Sequence, residues 1–167
     1  MFKEISPVLL QGNPFQMIGQ DWMLITAEKD GKVNTMTASW GGLGIMWGKN
    51  VAFTVIRPQR FTKEFVDSAD SFSLSFYDDS FRKVLGYLGT VSGRDEDKVL
   101  KSGLTVIHED KIPYFAEANT VLFCKKLFRQ QYEEKSFIDT RLPGINYPDN
   151  DYHYLYISEI TKIFVKE

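Results

Sequence analysis

The stretch MLITAEKDGKVNTMT, from Met23 to Thr37, decides the fold because it reads as two short strands joined by a tight turn. Met23–Ala27 and Val33–Thr37 are rich in apolar and β-branched residues, a composition typical of strands. Between them lies Lys29–Lys32, whose Asp-Gly pair is a strong signal for a two-residue hairpin turn. The sequence therefore predicts an antiparallel hairpin at this point.

Further strands are predicted along the rest of the chain, with few helices between them. Ser71–Phe76 alternates serine with Phe or Leu, the pattern of a strand that buries one face. The other predicted strands are Asn50–Ile56, Leu104–His108, Asn119–Phe128 and Tyr152–Phe164, the last bent or split in two. The predicted helices are Lys63–Ser68 with Thr62 as its N-cap, Phe81–Leu88 and Asp95–Ser102. The pattern indicates an all-β fold with short flanking helices, a closed or nearly closed antiparallel barrel.

Composition and charge narrow the class of protein. The chain has 167 residues, 43% of them hydrophobic, which predicts one domain over residues 1–167. A net charge of −2 without a basic stripe gives no long-range attraction for nucleic acid. The one cysteine, Cys124, lies in an apolar run and indicates a buried thiol in a reducing compartment. Because no signal peptide or membrane-spanning run is evident, we expect a soluble cytoplasmic protein without a membrane partner.

The segment RPQRFT, Arg57–Thr62, follows a predicted strand and opens a predicted helix. Pro58 ends strand pairing, so two guanidinium groups, a hydroxyl and free helix amides lie within a few residues. Such a group suits a phosphate, because guanidinium forks bind its oxygens in pairs. A solvated loop with surface arginines is an equally good interpretation of this segment alone.

Two other segments carry possible ligand chemistry. NTMTASWGG, Asn34–Gly42, combines small residues, hydroxyls and Trp40, which would let a flat ligand approach the backbone; alternatively it is a strand ending in a glycine turn with Trp40 in the core. SGRDEDK, Ser92–Lys98, is either an anion site or a helix cap with solvated charge.

The usual catalytic and metal motifs are missing from the sequence. Its two histidines, His108 and His153, show no metal-ligand spacing, so we expect no metal site. No nucleotide-binding glycine motif or nucleophile motif occurs. His153 alternates with tyrosines in a predicted strand, where either a structural role or a proton role is open.

In this order, the three segments and a terminal strand that carries His153 ahead of Ile157–Ile160 resemble the flavin reductase-like, FMN-binding split-barrel family, in particular its flavoredoxin-type branch. The resemblance implies a six-stranded antiparallel Greek-key split β-barrel that forms a homodimer with FMN as cofactor. It implies that the flavin ring and ribityl chain are contacted by Met36, Thr37, Ala38, Ser39 and Trp40. The phosphate would be held by Arg57, Arg60 and Thr62. The resemblance further implies that Ser92, Gly93 and Lys98 lie near the cofactor of the same or the partner subunit.

The implied activity is reduction of bound FMN by NAD(P)H, with electrons passing to a flavin, a ferric chelate or a protein acceptor. His153 is the implied catalytic residue, as a wall or hydrogen-bond donor beside the nicotinamide. The family usually has an Asp-His-Thr-like segment where this chain has Tyr152–Tyr154, and an irregular loop over 139–151 would cover the flavin. The alternatives are a flavin-binding electron carrier without NAD(P)H oxidation, or a split barrel for another anionic cofactor such as pyridoxal phosphate or haem.

Overall fold

A computed structural model describes all 167 residues. The strands are β1 Phe2–Ile5, β2 Met23–Lys29, β3 Lys32–Ala38, β4 Gly41–Met46, β5 Lys49–Ile56, β6 Ser71–Phe76, β7 Val106–Glu109, β8 Ile112–Phe115, β9 Thr120–Gln131 and β10 Tyr154–Lys166. The α-helices are α1 Pro14–Gln16, α2 Phe61–Ser68, α3 Arg82–Thr90, α4 Lys98–Ser102 and α5 Leu142–Asn146. A π-helical turn, Met17–Asp21, continues α1. None of these helices is long and apolar enough to span a bilayer.

The main sheet is antiparallel and curls into a barrel that is open along one seam. Its strands follow the order β3-β2-β6-β9-β10-β5-β4, and β1 pairs with β10. The two edge strands, β3 and β4, do not pair with each other, yet only Ser39 and Trp40 separate them in the chain. Three Cα–Cα steps span at most about 11 Å, so the end of β3 and the start of β4 must lie close together. The barrel is therefore split between β3 and β4.

The predicted hairpin is confirmed. β2 and β3 pair antiparallel, with Leu24 opposite Thr37 and Lys29 opposite Lys32. Asp30 and Gly31 form the two-residue turn, and both have positive φ, 51° and 74°. A turn with two positive φ values follows the right-handed twist of the strands, which explains why Asp-Gly occupies it.

Several element boundaries differ from the sequence-based prediction. The main sheet has eight strands rather than the six of the implied barrel, because β1 and the glycine-rich β4 add to it. β10 is one continuous strand, whose irregularity is confined to two register shifts against β9. Helix α4 begins only at Lys98, since the Asp97 carboxylate accepts a hydrogen bond from Leu100 N–H. The 139–151 segment is not wholly irregular, as it contains α5.

Apolar side chains form two clusters, one on each face of β2. Met23 and Ile25 belong to a cluster of 17 buried residues, whereas Leu24 belongs to one of 11 with the buried side of α3. The expectation of one buried face on β6 is wrong, because Ser73 and Ser75 are also fully buried. The hairpin β7–β8 covers that face, and Ser73 Oγ donates to the Pro113 carbonyl at 2.6 Å.

The lone cysteine belongs to the cluster of 17 buried residues. Cys124 is fully buried, and burial raises the pKa of its thiol far above the usual range. The prediction of a buried structural thiol is therefore confirmed, since a nucleophile needs an accessible thiolate.

Candidate active site

A cleft of about 200 Å³ opens at the seam between β3 and β4. Its lining comes from the end of β3 and the connection to β4, from the end of β5, and from the residue before β10. The lining residues are Met36, Thr37, Ala38, Ser39, Trp40, Val55, Arg57, Arg60 and His153. The structure thus brings together the whole predicted Met36–Trp40 segment, both arginines of the second segment and the predicted histidine.

A smaller cavity of about 80 Å³ continues from the cleft beyond Arg60, which lines both. It is formed by the start of α2 and by the turn between α3 and α4. Its lining residues are Gln59, Arg60, Phe61, Thr62, Thr90, Val91, Ser92, Gly93 and Lys98. All remaining predicted cofactor residues, Thr62, Ser92, Gly93 and Lys98, therefore lie in this second cavity, which we call the anion pocket.

The anion pocket holds two cations without a counter-ion. Arg60 Nη1 donates to the Gly89 carbonyl at 2.9 Å, while its Nη2 is buried and has no partner. Lys98 is 3% exposed, and its Nζ donates to the carbonyls of Leu88 at 2.8 Å and Val91 at 2.9 Å. No carboxylate pairs with either side chain. Buried cations that lack a carboxylate partner are costly, and an anion would compensate them.

The pKa values of Lys98 and Arg60 are both lower than usual. Burial and, to a smaller extent, the nearby Arg60 charge together lower the pKa of Lys98 to about 8. Burial also lowers the pKa of Arg60. Because each shift disfavours the charged form, a bound anion would restore both pKa values and be held by both groups.

The wall of the anion pocket is tightly packed. Asn34 Nδ2 donates to Thr62 Oγ1 at 2.9 Å, which ties β3 to α2. A Cβ at Gly93 would lie 2.3 Å from Asn34 Oδ1, so this turn can approach β3 only as glycine. The prediction of Thr62 as N-cap is wrong: Arg60 precedes α2, and the side chain of Thr62 bonds Asn34 instead. The Thr62 hydroxyl therefore connects α2 to β3.

Arg57 has partners that Arg60 lacks. Its Nη1 donates to Asp151 Oδ2 at 2.5 Å and its Nη2 to the Asn146 carbonyl at 2.9 Å. Its guanidinium also lies over the ring of Tyr147, 5.0 Å from the centroid. Arg57 therefore anchors the 139–151 segment beside the cleft, and its charge is already compensated by Asp151.

The rings of His153 and Trp40 pack against each other in the lining of the cleft. Their ring centroids are 5.3 Å apart, and Trp40 is 48% exposed, which rules out a core position for it. His153 is 7% exposed, and its Nδ1 lies 2.8 Å from the Tyr147 hydroxyl. Burial and the Arg57 charge lower the pKa of His153 to about 4, so the imidazole is neutral near pH 7.

Sequence reasoning missed the residues behind His153 and Arg57. Phe137, Tyr147 and Tyr152 pack their rings together, with Tyr147 and Tyr152 at 5.0 Å. These aromatic residues hold the 139–151 segment against the cleft wall. Their clustering along residues 132–154 was visible in the sequence, but nothing there indicated that Tyr147 meets His153.

A second groove, of about 240 Å³, lies on the other side of Thr37–Ser39, between Trp22 and the glycines of α3. Thr37 Oγ1 donates to the Leu85 carbonyl at 2.6 Å and so fixes the β3 end against α3. Trp22 has φ 72°, a conformation rare for non-glycine residues and frequent near functional sites.

No group of three or more His, Cys, Asp or Glu side chains is placed to hold a metal ion.

The chain is thus a split antiparallel barrel with a cleft at its seam and a smaller cavity beside the cleft. A sequence model of the family described as "Flavin reductase like domain" matches residues 16–167. The chain therefore belongs to the flavin reductase-like family. No curated protein matches the sequence.

Solved structures share the fold at low sequence identity. Flavoredoxin from Methanosarcina acetivorans has TM-score 0.68 at 23% identity, covering 88% of this chain and 69% of that one. An FMN-binding domain of a flavin reductase-like enzyme from Shewanella baltica has TM-score 0.71 at 16% identity, covering 99% and 77%. The FMN-binding protein from Thermus thermophilus has TM-score 0.68 at 20% identity, covering 98% and 78%. These similarities confirm the predicted split-barrel fold.

Proposed function

We propose that this protein is an FMN-dependent oxidoreductase that takes electrons from NAD(P)H and delivers them to a flavin, a ferric chelate or a protein acceptor. The observation that carries the proposal is the buried, partnerless Nη2 of Arg60 beside Lys98 at the end of the cleft. Membership of the flavin reductase-like family and the FMN-binding proteins of the same fold support FMN as the cofactor.

The residues present fit the two ends of FMN. Arg60 and Lys98 would hold the phosphate, with Ser92 and Gly93 beside them in the pocket lining. Arg57 is a weaker candidate for this role than the family resemblance implies, because Asp151 already compensates its charge. Thr62 contributes indirectly, through its bond to Asn34.

The wider cleft fits the flavin ring. Within the Met36–Trp40 segment, Thr37, Ala38 and Ser39 supply small side chains along one wall, and the exposed Trp40 ring offers an aromatic surface. When bound, FMN supplies the redox centre that accepts and releases electrons. The chain's own groups bind and orient: the anion pocket fixes one end of the ligand, and Trp40 and His153 bound the other.

The first test is the visible absorption spectrum of the purified protein. FMN gives a yellow protein, whereas pyridoxal phosphate or haem gives different bands. Under anaerobic conditions, NADH or NADPH should then bleach the flavin band. A yellow protein that neither nucleotide bleaches would refute the reductase activity and leave FMN binding intact.

A flavin-binding electron carrier is the second candidate. It is favoured by the bulky aromatic residues around His153: Tyr147 packs on the His153 ring and Tyr152 packs on Tyr147, and this packing would limit the room for a nicotinamide beside His153. This candidate predicts reduction by dithionite or by a partner protein, and no reduction by either nicotinamide nucleotide.

The proposal includes a single domain, a homodimer and a reducing, cytoplasmic location. Exposed apolar side chains near the seam, Phe15, Ile45 and Trp47, support self-association because such surface is unfavourable in water. Light scattering coupled to size exclusion distinguishes a dimer from a monomer. The location rests on the single, buried Cys124.

A further inference from the structure

We propose that Tyr147 is a positioning residue that fixes the tautomer of His153, so that the imidazole presents a neutral Nε2–H donor to the cleft. The family resemblance implies a wall or donor role for His153, but it assigns no role to Tyr147 and does not say which nitrogen of His153 carries the proton. The inference deepens the proposed function by naming a hydrogen-bond donor in the cleft wall. It rests on the proposed function only in taking the ligand of the cleft to be FMN or its redox partner.

The direction of the hydrogen bond follows from the burial of Tyr147. This residue is 5% exposed, and its hydroxyl bonds only His153 Nδ1, at 2.8 Å. Burial raises the pKa of the phenol, so the hydroxyl keeps its proton. If Nδ1–H donated to the phenol, the phenol proton would be buried without an acceptor, at a substantial cost. Tyr147 therefore donates to Nδ1, and the one proton of the neutral imidazole is on Nε2.

The other ring nitrogen, Nε2, is not among the buried unpartnered polar atoms and is therefore accessible from the cleft that His153 lines. His153 lines the cleft, and its Nε2 has no hydrogen-bond partner in the protein. The charged groups closest to the ring are Arg57, which follows β5, and Asp151, which precedes β10; they bond each other at 2.5 Å. Trp40 packs against the ring from the β3–β4 connection and adds no charge.

A neutral N–H donor in the cleft wall restricts which ligand atoms can lie against His153. A carbonyl oxygen, a ring nitrogen with a lone pair or a hydroxyl oxygen at the cleft mouth can accept from Nε2–H, whereas an N–H group cannot. The ring also keeps one charge state through the pH range in which most histidines titrate, so it does not serve there as a general acid. We therefore expect the ligand to place an acceptor atom against His153.

The test is ¹⁵N NMR of the cofactor-free protein labelled at histidine, whose two histidines give few signals. His108, which bonds Glu28 on the surface, is the internal reference. His153 should show the Nε2–H tautomer, unchanged from about pH 8 to about pH 5.5. Tyr147→Phe should lower the ratio of Nε2–H to Nδ1–H about tenfold, as expected for one lost buried hydrogen bond.

Tyr152→Phe is the matched control, because Tyr152 packs 5.0 Å from Tyr147 but its hydroxyl does not bond His153. It should leave the tautomer ratio unchanged. An Nδ1–H tautomer in the wild-type protein, or equal ratios in all three proteins, would overturn the inference. Addition of FMN should then shift the Nε2–H signal; if FMN fails to bind while the tautomer is as stated, the proposed function fails and the positioning role stands.

Discussion

Replacing Arg60 with alanine tests the placement of the phosphate. Arg60 Nη2 is buried without a partner, and its Nη1 is occupied by the Gly89 carbonyl. A ligand phosphate would therefore gain a charge-assisted hydrogen bond that the free protein lacks. Such bonds typically contribute about 1.5–3 kcal/mol. Arg60→Ala should thus weaken FMN binding by about 10- to 150-fold.

The assay is quenching of flavin fluorescence during titration with the cofactor-free protein. Riboflavin, which lacks the phosphate, is the ligand control: its affinity should change little in Arg60→Ala. Arg94→Ala is the protein control, because Arg94 already bonds Glu64 at 2.5 Å and the Gln59 carbonyl at 3.0 Å, and it does not line the anion pocket. Its FMN affinity should stay close to that of the wild type.

The free energy of unfolding separates binding from folding in this experiment. Arg60→Ala removes the bond to Gly89 but also relieves repulsion of Lys98, so stability should change by no more than about 1 kcal/mol. Equal losses of FMN affinity in Arg60→Ala and Arg94→Ala, or equal losses for FMN and riboflavin, would refute the placement of the phosphate.

Two further predictions concern the anion pocket. The folded pKa of Lys98, about 8, lies below the ordinary 10.5, so between about pH 8 and pH 10 the unfolded chain binds more protons and stability rises with pH. FMN affinity should fall over the same range, and Lys98→Met should abolish both trends in urea and fluorescence titrations. Gly93→Ala should lower the free energy of unfolding by about 1–3 kcal/mol, because the new Cβ would lie 2.3 Å from Asn34 Oδ1.

Each of these two predictions has an outcome that would contradict it, and the glycine substitution also has a control variant. Gly19→Ala, where a Cβ meets nothing within 4 Å, should leave the urea midpoint nearly unchanged. A Gly93→Ala variant as stable as Gly19→Ala would show that the turn can move away from Asn34. A pH dependence that persists in Lys98→Met would assign it to another group.

Most of the fold could be predicted because strands and tight turns depend on neighbouring residues. The hairpin at Asp30–Gly31 and the strand Ser71–Phe76 are found where the sequence places them. β4 was missed because its glycines carry no strand preference, and it forms by pairing with β5. The burial of Ser73 also depends on a distant element, the β7–β8 hairpin, to which its hydroxyl donates.

The candidate site could be predicted as a set of residues but not as a set of roles. The Met36–Trp40 segment, Arg57, Arg60 and His153 do line one cleft. Nothing in the order Arg57-Pro58-Gln59-Arg60 distinguishes the two arginines from each other. Only the structure shows that one is paired and the other is not.

The sequence by itself determined most of the strands, the hairpin and the segments that supply the site, since these follow from local composition and spacing. The tertiary structure decided which charges are free and which are compensated. Asp151 lies 94 positions from Arg57 along the chain, and the carbonyl that Arg60 meets lies 29 positions away. Charge compensation and burial depend on distance in space, so the roles of Arg60, Lys98 and the neutral His153 appear only once the barrel has closed around its seam.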